Sequence, residues 1–439
     1  MSRSVLVFVE LQGQVCLVGT LWTRQRGGRQ SATFEYSGMW LDNPAHFALE
    51  PALSLGAGPH HTPQDIPIFG ALSDSAPDRW GRALMRRAER RAGTVAGRPP
   101  RALHEIDYLL QVHDVSRLGA LRFAESADGP FLAESTEHTV PPVVSLPRLL
   151  TASEHVIAED DSDEDLRLLL APGSSLGGAR PKASVHDRDG CLALAKFPSP
   201  TDEWHTERWE WVALQLAAAA GITVPEARLE AVGDKSVLLL RRFDRVGQQR
   251  IPFLSAMSML GARDHETRCY LEIVDALRRW GACPKEDMSA LFRRMVYNIL
   301  ISNTDDHLRN HGFLYLSPGG WRLAPAYDLN PVPIDVKPRI LATEIDIGNA
   351  TADVDLAIDV AEYFELTTDE ARQIVHQVGN AVANWRTEAA NAGIQPAEID
   401  RMASAFESPD LKRRQNSAPR LTRTLTPTRT RAGLPHPHL

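Results

Sequence analysis

At 439 residues, 43% hydrophobic and 24% charged, the chain has room for two or three domains around a sizeable core. Its net charge of −8 excludes a general attraction to nucleic acid, but the charge is uneven: from Ser408 onward seven Lys and Arg face one acid, Asp410, leaving about −14 for the body. The four cysteines show neither CxxC nor zinc-like spacing, no apolar run reaches the ~18–20 residues of a membrane helix, and MSRSVLVFVELQG lacks a leader's apolar region and cleavage site, so a cytoplasmic protein without membrane contact is expected.

Residues 4–10 (SVLVFVE) and 15–22 (VCLVGTLW), separated by LQGQ, predict a β-hairpin, and ATFEYSG and HFALEP predict further short strands. Within 69–93 apolar spacing turns helical and predicts a Pro-initiated helix, with caps available in 73–78. HEIDYLLQVH predicts another helix, and GALRF returns to strand. Residues 1–125 are therefore expected to form a mixed α/β module. A Pro-rich break, VPPVVSLP, precedes a short helix over 148–155. The acid run EDDSDED at 159–165 reads as a solvated loop or helix start, or as an acidic docking surface. A loop over 173–182 then leads to strand ASVHD and to strand LALAK, which ends at Lys196. An amphipathic helix over 206–221 closes on Gly221, and two strands follow in ITVPEARLEAVGDKSVLLLRRFDR. This order across 126–250 resembles a nucleotide-binding N-lobe. Residues 251–407 are mainly helical, interrupted by the hairpin GFLYLSPGGWRLAPAYDL. From 408 to 439, Ser, Thr, Pro and Arg predominate, which reads as a basic disordered tail, either solubilising or in weak contact with nucleic acid.

The strongest chemical signal is SNTDDHLRNHGF followed by APAYDLNP, in which Asp305, Asn310 and Asp328 stand among apolar neighbours. Acids in such surroundings need a partner or a metal. An Asp, an Asn five residues on and a second Asp beyond a hairpin is the pattern of phosphoryl transfer. The first Asp orients the acceptor hydroxyl, and the other two hold Mg²⁺ against nucleotide phosphates. Asp306 and His307 between them read as loop polars, with His307 alternatively a base by type. Upstream, Gly177 and Gly178 in SSLGGARPKAS let backbone N–H groups approach phosphates, with Arg180 and Lys182 adding positive charge. A GG pair alone is as readily a plain turn, and neither GxxxxGK[ST] nor GxGxxG occurs. Lys196, on an apolar strand, is either at an edge or facing a ligand. In a kinase-like site it neutralises phosphates and pairs with a helix carboxylate, for which Glu210 is the natural partner, with Glu207 nearby on the same helix. The strand end LLLRRFDR offers backbone to an adenine. The expected fold class is α+β, a two-lobed protein-kinase-like fold with an N-terminal mixed α/β module and a mainly helical C-lobe.

SAPDRWGR, GALRF, SSLGGARPKA, AKFPSP, LRRFDR, NTDDHLRN and APAYDLNP, in this order, resemble the HipA family of Ser/Thr protein kinases, toxins of bacterial type II toxin–antitoxin pairs. The resemblance implies Asp305 as catalytic Asp and Asn310 and Asp328 as Mg²⁺ ligands. It implies that Lys196 contacts the ATP phosphates and that the backbone of Gly177, Gly178, Ala179, Arg180 and Lys182 holds the β/γ-phosphates. Arg241, Arg242 and Phe243 would sit at the adenine, and His307 would lie at the nucleotide site. Ser175, or its neighbour Ser174, takes the place of the family's autophosphorylation site. The resemblance further implies a protein substrate of the translation machinery such as a tRNA synthetase, a helix-turn-helix HipB-like antitoxin, and operator DNA reached through that antitoxin. Asp306 stands where a small residue is common in the family. Two other readings share parts of the pattern: a non-catalytic ATP-binding scaffold acting as co-repressor, and a small-molecule kinase of the aminoglycoside type.

Overall fold

The structure, a computed structural model, describes residues 2–133, 140–170, 178–316 and 319–413. Strands β1 (Ser2–Leu11) and β2 (Gln14–Arg26) pair antiparallel around a turn at Gln12 and Gly13, both at positive φ. Val5, Val7 and Val9 alternate onto the buried face of β1, the period-2 signature of a half-covered sheet. With β3 (Arg29–Tyr36), β4 (Pro59–His61) and β5 (Leu121–Ala124), the order is β4-β3-β2-β1-β5. HFALEP does not form a strand. Its apolar side chains are consumed in packing, Phe47 stacking on Tyr315 at 3.9 Å between ring centroids, and the Leu49 N–H donates to the Tyr36 hydroxyl instead of entering a ladder.

The Pro-initiated helix expected within 69–93 is α1 (Arg79–Val95), and a short separate helix, Gly70–Asp74, precedes it. Pro77 disfavours helical backbone at Ala76, and Asp78 then caps the second helix through its carboxylate to the Gly81 N–H at 2.8 Å. Helix α2 (Glu105–Gln111) completes this region. Helices α3 (Leu146–Ile157) and α4 (Asp163–Leu170) follow. The acid run is only partly solvated, since Asp161 is buried and paired with Arg87 at 3.2 Å and Arg91 at 2.9 Å.

A second sheet runs β6-β7-β9-β8, with β6 (Lys182–His186), β7 (Leu192–Lys196), β8 (Ala227–Val232) and β9 (Lys235–Arg241) all antiparallel. Helix α5 (Thr206–Ala219) is inserted between β7 and β8 and ends where Gly221 takes φ +77°. Beyond lie α6 (Tyr270–Trp280), α7 (Pro284–Leu300), α8 (Thr368–Val382), α9 (Trp385–Asn391) and α10 (Pro396–Phe406). A small sheet of β10 (Phe253–Ser255), β11 (Gly312–Leu316) and β12 (Gly320–Leu323) carries the predicted hairpin. One apolar core runs from β1 through α5 and α7 to α10, and a second joins Trp80 and Leu84 to α3, α4 and the second sheet. The architecture is thus a mixed α/β fold with several sheets and a helical C-terminal part. No helix among the described residues is long and apolar enough to cross a membrane. The tail beyond Arg413, and Ser174, Ser175 and Gly177, lie outside the described residues.

Candidate active site

Lys196 ends β7, which is buried along its whole length, so the side chain has little access to water and must find charge partners. It has two. Its Nζ lies 2.6 and 2.9 Å from the Glu210 carboxylate oxygens on α5 and also donates to the Asp328 carboxylate. Burial acts to lower the Lys196 pKa, but the charges of Asp328 and Glu210 outweigh it and hold the ammonium protonated. Burial likewise acts to raise Asp328, yet Lys196 and Lys182 hold its carboxyl below the usual range, with His307 adding a smaller pull. Glu210 is pushed up by burial, against the pull of Lys196.

The loop after α7 brings Asp305 to the surface while fixing everything around it. Ser302 takes φ +50°, Asn303 Nδ2 donates to Asn298 Oδ1 at 3.0 Å, and Asp306 turns inward. The Asp306 carboxylate accepts from the Tyr270 hydroxyl at 2.6 Å and from the N–H groups of Ala342 and Thr343 at 2.8 and 3.3 Å. Asp305, its neighbour, is exposed, and its carbonyl accepts from Asn310 Nδ2 at 2.8 Å. Tyr327 ties the second stretch to the first: its hydroxyl donates to the Arg309 carbonyl at 2.6 Å. Asp328 follows at φ +53°, an uncommon conformation for a residue with a side chain. Asp305, His307, Asn310 and Asp328 are therefore brought to one locality, next to Lys196.

The residues present fit a divalent cation. Asn310 Oδ1 is a buried acceptor without a hydrogen-bond partner, and Asp328 is held deprotonated. An amide oxygen plus one carboxylate suits Mg²⁺, which takes the rest of its shell from waters and substrate phosphates. His307 Nδ1 is also buried without a partner, and the ring's effect on Asp328 places it close by.

Beside Lys196 and Asp328 opens a cleft lined by Leu194, Pro225, Leu240, Phe243 and Tyr327, apolar walls suited to a flat heterocycle. Residues 241–243 border it, but the two guanidinium groups are engaged elsewhere. Arg242 bonds Asp244 at 2.7 Å and the Ser116 and Arg117 carbonyls, and Arg241 pairs with Asp189 at 2.8 Å and with Glu226. Arg180 and Lys182, expected to add positive charge beside the glycines, both carry acidic partners. Arg180 is matched by Asp202 and Glu207, and Lys182 Nζ lies 2.9 Å from Asp78 Oδ2. Gly178 is exposed at φ +84°, with its carbonyl accepting from the Trp80 N–H at 3.4 Å, and Ala179 is exposed beside it. The roles of Asp78, Trp80, Asp202, Tyr270 and Tyr327 were not anticipated. PDRW carries a helix-start signal that marks Asp78, whereas nothing local to Asp202 points to Arg180.

Residues 174–385 match the HipA-like C-terminal domain family. The match spans just under half of the chain. Lys196, Glu210, Asp305, Asn310 and Asp328 all fall within it. A Sinorhizobium fredii protein named "Putative kinase Y4mE" is 24% identical over 410 residues, 85% of this chain and 91% of that protein. A Haemophilus influenzae protein named "Putative kinase" is 26% identical over 209 residues, 41% of this chain and 60% of that one. The fold is shared with a structure from Shewanella oneidensis MR-1 described as a toxin–antitoxin system of HipA, HipB and operator DNA. The TM-score is 0.63 at 16% identity, covering 93% of this chain and 96% of that one. The matched segment is thus set in a fold that the two chains share along nearly their whole length.

Proposed function

We propose that this HipA-like protein is an ATP- and Mg²⁺-dependent kinase that phosphorylates serine or threonine hydroxyls of proteins. The observation that carries the reading is the Glu210–Lys196–Asp328 ion network at the edge of an apolar cleft, tied through Tyr327 to the loop that exposes Asp305. The cleft walls receive the adenine. Lys196 holds nucleotide phosphates against the end of β7, kept charged and aimed by Glu210. Asn310 Oδ1 and Asp328 hold the cation, which when bound neutralises charge on the phosphates. Asp305 accepts the proton of the attacking hydroxyl, and Asp306 keeps that loop in place through Tyr270 and the 342–343 backbone. Asp305 is open to solvent, which suits a hydroxyl presented on a macromolecule. The kinase names of the sequence relatives agree with this reading.

The resemblance extends the proposal. Ser175 or Ser174 is the self-modification site before the glycines, and the target belongs to the translation machinery. A HipB-like helix-turn-helix antitoxin restrains the enzyme and brings it to operator DNA, as the composition of the Shewanella complex supports. The test of the activity is transfer from γ-labelled ATP with Mg²⁺ to the chain itself and to an added acceptor protein. Asp305→Ala is expected to lower the rate by about 10²–10⁴-fold. Native protein that transfers no more label than Asp305→Ala would overturn the kinase reading.

A further inference from the structure

Helix Pro409–Arg413 is anchored by Asp410, which Arg339 Nη1 meets at 2.5 Å. The same Arg339 donates from Nη2 to the Ile299 carbonyl at 2.9 Å and from Nε to Ser302 Oγ at 3.3 Å, and Ser302 donates to the Ala405 carbonyl at 2.7 Å. Ser302 is three residues before Asp305, at most ~11 Å along the chain. Residues 414–439 therefore depart from beside the loop that presents Asp305.

The surface between that departure point and Asp305 is unusual. Ile334, Val336, Ile340 and Ile347 are exposed, from 47% for Ile340 to 82% for Ile347. This strip adjoins the loop directly: Lys337 Nζ donates to the Thr304 carbonyl at 3.2 Å, and Ala342 and Thr343 donate to Asp306. Three acids, Asp335 (paired with Arg401 at 2.8 Å), Glu344 and Asp346, stand in it against Lys337 and Arg339, and Asp353, Asp355 and Asp359 follow around Val354, whose N–H donates to Asp410 at 3.3 Å. The sequence of 414–439 is its chemical complement, with five arginines, no acid and leucines at 421, 425, 434 and 439. It also carries acceptor hydroxyls at alternate positions, Thr422, Thr424, Thr426, Thr428 and Thr430, interleaved with Arg423 and Arg429. Thr422 is nine residues past Arg413, a reach of up to ~30 Å.

We propose that residues 414–439 are an intramolecular substrate of the site, seated on the apolar strip over 334–347 together with the acids over 335–359, and phosphorylated on the threonines from 422 to 430. This rests on the kinase reading above. In the step, a threonine Oγ1 forms a bond to the γ-phosphorus of ATP and the bond from that phosphorus to the β–γ bridging oxygen breaks. ADP leaves with the electron pair, and the hydroxyl proton passes to the Asp305 carboxylate. Each phosphate adds about −1.5 to −2 charge, so roughly three cancel the five arginines and weaken the seat on an acidic strip. The modification is self-limiting.

The experiment uses the full chain, phosphatase-treated, incubated with ATP and Mg²⁺ and mapped by mass spectrometry of its fragments. Expected is Asp305-dependent phosphate on Thr422–Thr430, at a rate per molecule unchanged on about twentyfold dilution, as for a tethered substrate. The double variant Asp335→Lys with Asp346→Lys should slow tail labelling by roughly fivefold to tenfold, while Asp305-dependent transfer to an added acidic acceptor protein persists. Asp305-dependent phosphate found only outside 414–439 overturns this inference and leaves the kinase reading standing. A rate that falls with dilution, or one indifferent to the charge reversals, overturns the intramolecular seat. No Asp305-dependent transfer to any acceptor overturns both.

Discussion

Asp305 and Asp306 are the same residue type side by side, and the fold gives them opposite environments. Asp305 faces solvent, whereas Asp306 is buried beneath it with three donors on its carboxylate. Burial outweighs those donors and pushes the Asp306 pKa up from 3.8 to about 6. A carboxyl raised on folding binds its proton more tightly in the folded chain than in the unfolded one. Its stabilising effect is therefore complete below the unfolded value and is lost as pH rises through about 6. Asp306→Asn keeps an acceptor for the 342–343 N–H groups and cannot titrate. Compared with that variant, the native chain should lose on the order of 2 kcal/mol of stability between about pH 4.5 and about pH 7.5. Urea midpoints of the two proteins across that range check the expectation, and parallel pH profiles would contradict it. Asp306 is thus the residue that clamps the loop, at a cost felt near neutral pH.

At the scale of elements, the N-terminus of α1 holds the glycine segment. One Asp78 oxygen caps the helix at Gly81, and the other meets Lys182, while Trp80 Nε1 donates to the Lys182 carbonyl at 3.1 Å. Asp78→Ala removes a cap, about 1 kcal/mol, together with one partner of a buried ammonium, for a total loss of about 2–4 kcal/mol by chemical denaturation. Asp78→Asn retains a capping oxygen and should recover roughly the first of these contributions. The contact spans 104 residues of sequence, which is why PDRW showed only a helix start. By contrast, β6, β7, α5, β8 and β9 were legible in order because each is a short apolar run or a 3.6-period stripe bounded by turn residues. Lys196 and Glu210 followed from the same reading, since a cation on a buried strand needs an anion and the next helix supplies one. HFALEP misled because its apolar residues satisfy Tyr36 and Tyr315 rather than a neighbouring strand, and alternation alone does not distinguish the two. The ion pairs of Arg180 and Lys182 were illegible for the reason Asp78 was: their partners come from other elements.

Across the whole molecule, the N-terminal region is fastened to the rest by buried charge as well as by the shared core. Arg117 is fully buried, its guanidinium donating to the Ser75, Leu109 and Val112 carbonyls, and burial lowers its pKa to about 9. Across the junction lies Asp244, just past β9, which binds Arg242 and Arg245 and accepts from the Gly119 N–H at 2.7 Å. Burial acts to raise the Asp244 pKa, but the charges of Arg242 and Arg245 dominate and hold it well below the usual carboxylate range. Its stabilising effect is thus present above the unfolded carboxylate value and is lost as pH falls through the depressed one, opposite in sign to Asp306. Arg242 and Arg245 in turn both donate to the Arg117 carbonyl, so removing the carboxylate leaves buried guanidinium groups facing one another at the junction. Asp244→Ala should therefore cost about 3–5 kcal/mol, the usual effect of leaving buried charge uncompensated. Because one core runs unbroken from Val5 to Phe406, that loss should not free the N-terminal region alone. Amide hydrogen exchange should show the slowest sites of β1 and α8 losing protection by the same factor in the variant. Loss confined to β1–β5 would mean that the N-terminal region unfolds independently, with the buried charges serving only as a local latch.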